Sequence, residues 1–194
     1  MKILNTFVIT TVLAIFVLQV DVANSATAEE AVNDANRVES NIAKDGVRKP
    51  AGMLAFIGLD AGATVLDYGA GGGYWSELFS TTVGNDGMVY AHQNAGERFD
   101  SNKDALTTQF EPFGNIRLLP LARGSALTLD NSSVDTVMLS YLYHHMHYVD
   151  GSGETFPDSS AALMGEFRRV LKPGGTLIVI EHVAVDGSSR TQSA

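Results

Sequence analysis

The chain has 194 residues, no cysteine, 45% hydrophobic residues and a formal net charge of −9. That length is enough for one domain with a substantial core, and the absence of cysteine excludes disulfides and thiolate metal sites. An acidic chain whose 13 Lys and Arg residues form no long run is a poor match for nucleic acid or an anionic membrane, which leaves small molecules or another protein as expected partners.

Met1-Lys2 precedes a nearly all-apolar run from Phe7 to Val20, and Ala26-Thr27-Ala28 supplies small residues in an A-x-A arrangement before Glu29-Glu30. This is the pattern of a secretory signal peptide over residues 1–28, with Ala23-Asn24-Ser25 as a second cleavage site. The apolar run is shorter than the ~20 residues that span a bilayer, which argues against an uncleaved anchor and for a chain free of the membrane after cleavage. The expected location is periplasmic or secreted, and a cysteine-free chain suits a bacterial periplasm better. Residues 29–49 read as an N-terminal helix and linker: Ala31, Val32, Ala35, Val38 and Ile42 recur at near-helical spacing and predict one helix from Ala28 to Ile42. Arg48 and Lys49 lead to Pro50, which suits the first turn of a second helix that carries Met53, Leu54, Phe56 and Ile57 and stops at Gly58.

The chain is organised around Val65 to Phe79, VLDYGAGGGYWSELF, which reads as a short apolar strand, a glycine loop and a helix. Gly69, Gly71 and Gly73 stand on alternate positions after Asp67. Such a backbone can take positive φ, admits a ligand with no Cβ in the way and ends at the unpaired N–H groups of a helix start. A dinucleotide fingerprint needs its third glycine at position 74, where Tyr74 stands, which argues against a nicotinamide oxidoreductase.

Further along, Met88 to Ala91 is a buried strand followed by His92-Gln93-Asn94, Phe99 to Phe113 is a helix, and Asn115 to Leu119 is a third strand ahead of Gly124-Ser125-Ala126. Asp130 to Ser133 is a turn, and Val134 to Leu139 is a fourth strand that opens into Tyr143-His144-His145-Met146-His147-Tyr148. Ligands of open α/β sheets bind outside the carboxyl ends of strands, which puts this histidine cluster at the expected chemistry. Three roles are open to it: shaping the pocket, acting as a general base, or holding a metal through His144 and His147 with Asp150 or Glu154. Ser159 to Leu171 is a helix with Leu163, Phe167, Val170 and Leu171 on one face, and Leu171-Lys172-Pro173-Gly174-Gly175 turns into a fifth strand, Thr176 to Ile180. Glu181-His182 closes that strand, so His182 is a second candidate base, or it only holds the loop.

The spacing Asp67-x-Gly69-x-Gly71-x-Gly73, joined to the downstream run from Arg169 through Leu171-Lys172-Pro173-Gly174-Gly175 to Leu177, resembles the class I S-adenosylmethionine-dependent methyltransferases over about Pro50 to Val183. The resemblance implies a Rossmann-like α/β fold, mostly parallel, with helices on both faces, and S-adenosylmethionine as cofactor on the loop of Asp67, Gly69, Gly71 and Gly73. It also implies that Arg48 and Lys49 flank the cofactor pocket, where they either face substrate or form a solvated turn. The family places an acid at the end of the second strand for the ribose hydroxyls, and here that position is Gln93. Many members have an aspartate for the adenine amino group where this chain has Ser125. An amide and a hydroxyl still accept hydrogen bonds, without the charge-assisted strength of a carboxylate. A complete sheet of this family has seven strands and five are legible, so residues 50–194 read as a methyltransferase-like domain truncated at its C-terminus. The exported context and the ending Met88 to Asn94 resemble a group of exported, periplasmic methyltransferases.

The expected function is therefore S-adenosylmethionine-dependent methyl transfer to an oxygen or nitrogen atom of a small molecule, with His144 or His182 as base. The competing class is a non-catalytic binding module that kept the fold and lost or altered cofactor binding, for which Gln93 and Ser125 speak.

Overall fold

The computed structural model describes residues 25–122, 124–147, 157–183 and 186–187, so the apolar segment Phe7 to Val20 lies outside it. Five parallel strands form one sheet: β1 (Thr64–Tyr68), β2 (Met88–Asn94), β3 (Ile116–Leu121), β4 (Val134–Ser140) and β5 (Leu171–Ile180), in the spatial order β3-β2-β1-β4-β5. Chain order reverses between β1 and β4, which makes the carboxyl ends of these two strands the switch point where a ligand is expected.

The strands read as nearly continuous apolar runs because both faces are covered. Successive side chains alternate between two cores. Val65, Val89, Ala91, Met138 and Ile178 face one cluster, with Trp75, Leu78, Phe79, Phe99, Leu106 and Phe110. Leu66, Val137 and Leu139 face the other, with Phe167 and Val170. The first face carries α5 (Tyr74–Val83) and α6 (Glu97–Phe110), and the second carries α7 (Pro157–Val170). The glycine loop lies between β1 and α5, as the sequence predicts. β2 runs three residues past its expected end, through His92, Gln93 and Asn94, each in register with β3. The helix expected from Phe99 to Phe113 ends at Phe110 and continues as a 3-10 turn over Glu111–Phe113. Pairing of β5 begins at Val134 and Leu171 and resumes at Thr136 and Thr176, so residues expected in a turn are spanned by an irregular strand start.

The N-terminal segment departs most from expectation. In place of one helix it folds as α1 (Ala28–Val32), α2 (Glu39–Ile42) and α3 (Asp45–Arg48), followed by α4 (Pro50–Ile57). Local side-chain bonds compete with the helix: Asn33 Nδ2 donates to the Glu29 carbonyl and Asp34 Oδ1 accepts from the Asn36 N–H. Arg37 then turns inward to 4% exposure, where its guanidinium meets Asp45 in two parallel 2.8 Å bonds and donates to the Val32 carbonyl at 2.7 Å. α3 and α4 stay separate because Pro50 disfavours right-handed helix at the residue before it, and Lys49 takes φ 49. The segment packs onto α4 and α5, with Ala31 fully buried.

Candidate functional site

Asp67 ends the buried part of β1, and its side chain points at the start of α5, where Oδ2 accepts the Ser76 hydroxyl at 2.6 Å. That bond ties the carboxyl to the first turn of α5 across the loop. Burial pushes its pKa up to about 6, against the lowering effect of the Ser76 bonds and the Arg48 charge. Asp67 thus joins the end of β1 to α5 on the far side of the loop.

The three glycines have different jobs, although all take positive φ. A Cβ on Gly69 would stand 2.7 Å from Leu142 Cδ2, and one on Gly73 would stand 2.4 Å from the Phe110 ring. Gly69 and Gly73 therefore let the chain pack on itself. A Cβ on Gly71 would meet nothing nearer than the Gly69 carbonyl at 4.0 Å, so the loop is open beside it.

The loop carbonyls are held by side-chain amides from three elements. Gln93 Nε2 donates to Gly71 O at 2.9 Å, while Asn41 Nδ2 and Gln109 Nε2 both donate to Gly72 O at 3.1 and 2.9 Å. Gln109 also donates to Glu77 Oε1 at 2.7 Å. Glu77 is fully buried in α5, with Arg37 Nε 3.9 Å from its Oε2, and burial raises its pKa against these bonds. The loop N–H groups divide in two. Gly69 donates to His92 Nδ1 at 3.2 Å and Ala70 donates to the His92 carbonyl at 3.0 Å, whereas Gly71 and Gly72 donate to none of the described residues.

Leu142 links the loop to the histidines expected at the end of β4. Tyr141 takes φ 54, and Tyr143–His147 form a 3-10 turn that leaves Tyr143 40% exposed. His144 and His182 come together, their rings 5.7 Å apart, and Tyr141 lies 4.7 Å from His182. Between them sits Glu181. Its carboxylate accepts the backbone N–H of His144 at 3.0 Å and of His182 at 2.9 Å, and its Oε1 is 2.9 Å from His144 Nδ1. That last contact is close but out of line for a hydrogen bond. Burial raises the Glu181 pKa and the contacts with His182 and His144 outweigh it, so the group is held below its ordinary value. The His147 side chain, Asp150 and Glu154 lie outside the described residues, among which no group of three His, Asp or Glu is placed to hold a metal ion.

Arg48 does reach the site: its guanidinium lies 4.4 Å over the Tyr74 ring and 5.8 Å from Tyr141, whereas Lys49 is exposed. Ser125 lies exposed in the turn after β3, and its hydroxyl makes no hydrogen bond to the described residues. Gln93 is where the sequence places it, but its N–H group is spent on the loop. Sequence reasoning missed Glu181, His92, Asn41 and Gln109. Only Glu181, adjacent to the chosen His182 at a strand end, carried a usable signal. A groove of about 470 Å³ between α7 and β5, lined by Met164, Phe167, Leu171 and Pro173, contains none of the site residues named here.

The profile of a family described as a methyltransferase domain matches residues 42–193. A ubiquinone/menaquinone biosynthesis C-methyltransferase of Marinomonas sp. is 30% identical over 124 residues, which is 64% of this chain and 44% of that protein. A protein-L-isoaspartate O-methyltransferase of Methanococcus maripaludis is 28% identical over 64% of this chain and 52% of its own length. The chain thus spans about half the length of these curated relatives. Among solved structures, an S-adenosylmethionine-dependent methyltransferase from Aquifex aeolicus superimposes with a TM-score of 0.58 at 23% identity, over 76% of this chain and 72% of that one, a likeness of fold.

Proposed function

The chain belongs to the methyltransferase domain family, and from that premise we propose that it transfers a methyl group from S-adenosylmethionine to an oxygen or nitrogen atom of a small molecule. The residues at the switch point suit that cofactor. The open flank of Gly71 and the N–H groups of Gly71 and Gly72, which have no partner among the described residues, would hold its anionic and polar parts, and Gln93 Oε1 would accept from a hydroxyl. When bound, the cofactor supplies an electrophilic methyl group on a sulfonium. The protein's own part is positioning and proton handling.

The observation that carries the O or N acceptor is the Glu181 and His144 pair beside the loop. Glu181 faces Nδ1 of His144, which leaves Nε2 to take a proton from an acceptor hydroxyl or amine. His182, exposed and on the same patch, shapes the acceptor side with Tyr141. The test is calorimetric titration of S-adenosylmethionine and S-adenosylhomocysteine into the full-length mature protein, followed by mass-detected methyl transfer to panels of phenols, amines and quinols. A Glu181→Gln variant should bind S-adenosylhomocysteine like the wild type and lose about 10 to 100-fold in turnover on a hydroxyl or amine. Methylation confined to ring carbon would refute the O or N assignment and favour the chemistry named for the Marinomonas relative. No binding at millimolar ligand by a folded protein would leave the second reading, a non-catalytic module, which the engagement of Gln93 by Gly71 favours.

We also propose that the protein is exported, on the strength of the apolar run Phe7 to Val20. The structure bears on which cleavage site is used. Thr27 caps α1 in a capping box with Glu30, and cleavage after Ala28 would remove that cap. Cleavage after Ser25 keeps it, so mass spectrometry of the exported protein should find Ala26 at the N-terminus. Glu29 there would refute this choice.

A further inference from the structure

We infer that His92, as a neutral imidazole, is the positioning residue that sets the glycine loop in its ligand-holding shape. This rests on the cofactor reading above for its consequence, but the geometry stands by itself.

His92 is 2% exposed, beyond the expected end of β2, and pairs in register with Leu119 of β3. Its ring lies flat on Tyr68, the last residue of β1, with centroids 4.0 Å apart and planes 6° from parallel. Tyr68 is in turn held edge-on by Phe167 of α7 at 5.0 Å. The ring is therefore wedged in one orientation, and that orientation aims Nδ1 at the Gly69 N–H. An imidazole nitrogen that accepts carries no proton, so the proton sits on Nε2 and the ring is neutral. Burial favours the same form, pulling the pKa down to about 4 with no neighbouring charge contributing. Through its carbonyl the same residue takes the next loop N–H, that of Ala70.

Two successive loop amides are thus anchored to one residue on the neighbouring strand. The anchoring holds Gly69 at φ 75 and leaves the N–H groups of the exposed Gly71 and Gly72 without a partner among the described residues. Without the Nδ1 acceptor the half-buried Gly69 N–H would face a ring with no acceptor, and the loop would have to turn to satisfy it.

Two substitutions separate the acceptor from the ring. His92→Phe keeps the stack on Tyr68 and removes the acceptor, whereas His92→Asn places an oxygen near the Nδ1 position and removes the ring. On the full-length mature protein, S-adenosylhomocysteine affinity by calorimetry should fall about 10-fold in His92→Phe and stay within about 3-fold of wild type in His92→Asn, as expected for one half-buried amide left unpaired. Two readouts need no ligand. Nitrogen chemical shifts of the wild-type ring at pH 7 should show Nδ1 unprotonated. Amide exchange at Gly69 should be about 10-fold faster in His92→Phe than in His92→Asn. A protonated Nδ1, equal Gly69 exchange in the two variants, or His92→Phe binding as tightly as wild type would each overturn the inference. If the wild type binds no S-adenosylhomocysteine, the cofactor reading fails, and the ring tautomer and Gly69 exchange still decide the positioning role. Should His92→Phe fail to fold, the wild-type tautomer and the His92→Asn affinity decide it.

Discussion

Gly71 and Gly73 are two residues apart in one loop, and alanine at each should fail in opposite ways. Both backbones lie in the left-handed region, at φ 55 and 74, where an L-residue costs about 1 to 2 kcal/mol. At Gly73 the new methyl would be 2.4 Å from Phe110 Cε1 and 3.1 Å from Gln109 Nε2. Phe110 is only 5% exposed and cannot swing away, so α6 must shift, which adds an overpacking cost of about 1 to 3 kcal/mol. The shift also strains the Gln109 bonds to Gly72 and Glu77. Gly73→Ala should therefore destabilise by roughly 2 to 5 kcal/mol. At Gly71 the methyl has 4.0 Å of clearance, so only the backbone cost applies, and the methyl occupies the open flank assigned to the cofactor. Gly71→Ala should lose about 1 to 2 kcal/mol of stability but at least 10-fold in S-adenosylhomocysteine affinity. Thermal unfolding and calorimetry on the same preparations make the comparison. A Gly71→Ala protein that binds like wild type, or a Gly73→Ala protein that unfolds no earlier than Gly71→Ala, would refute this division of roles.

Arg37→Met removes the cation that faces Asp45 and the fully buried Glu77, and leaving such a carboxylate unpaired should destabilise by about 3 to 5 kcal/mol, read by urea unfolding, with faster proteolysis of residues 25–49. Asp67 and His92 should leave opposite marks on the pH dependence of stability. Folded Asp67, with its pKa at about 6 against an ordinary 3.8, keeps a proton the unfolded chain has lost, so its contribution is full below pH 3.8 and is lost as pH rises through about 6. His92, at about 4 against 6.5, is neutral in the fold while the unfolded chain is protonated, so stability from this group rises with pH over about 4 to 6.5. Unfolding free energies from pH 4 to 6 should thus climb with pH in Asp67→Asn relative to wild type and fall in His92→Asn, each by on the order of 3 kcal/mol; parallel curves would refute both assignments.

The sheet was legible because each of its inner strands is a short apolar run bounded by glycine, proline or a polar turn. The loop was legible because alternate glycines are costly anywhere their φ is not needed. The N-terminal segment was not. Ala31, Ala35, Val38 and Ile42 have helical spacing, but that pattern competes with the pull of half-buried Asp45 and buried Glu77 on Arg37, which lie 8 and 40 residues along the chain. Likewise Phe110 was visible as an apolar helical step, whereas the task of Gln109 beside it depends on where α6 docks. His92 looked like one of three polar residues closing a strand. That it faces Tyr68 while Gln93 faces the loop follows only from the register with β3, which periodicity over four residues cannot fix. The two histidines proposed as bases lie in the segments that follow β4 and β5, and Glu181 between them is not read from sequence because a carboxylate there is equally at home in solvent.

Gln93 and three residues that sequence reasoning missed, His92, Asn41 and Gln109, share a physical role. Each loop carbonyl that Gln93, Asn41 and Gln109 reach is held by the protein, and so is each loop amide that His92 reaches. What remains is the pair of N–H groups of the exposed Gly71 and Gly72, which have no partner among the described residues and would suit an anionic or polar ligand group. A ligand that meets such a loop does not have to order it, so the binding energy that would go into ordering goes into affinity instead. The same economy explains Gln93. A carboxylate there would accept ribose hydroxyls more strongly but would repel the Gly71 carbonyl it now holds. In this chain the amide closes the loop through Nε2, and under the proposed function its Oε1 would be one neutral acceptor for a hydroxyl.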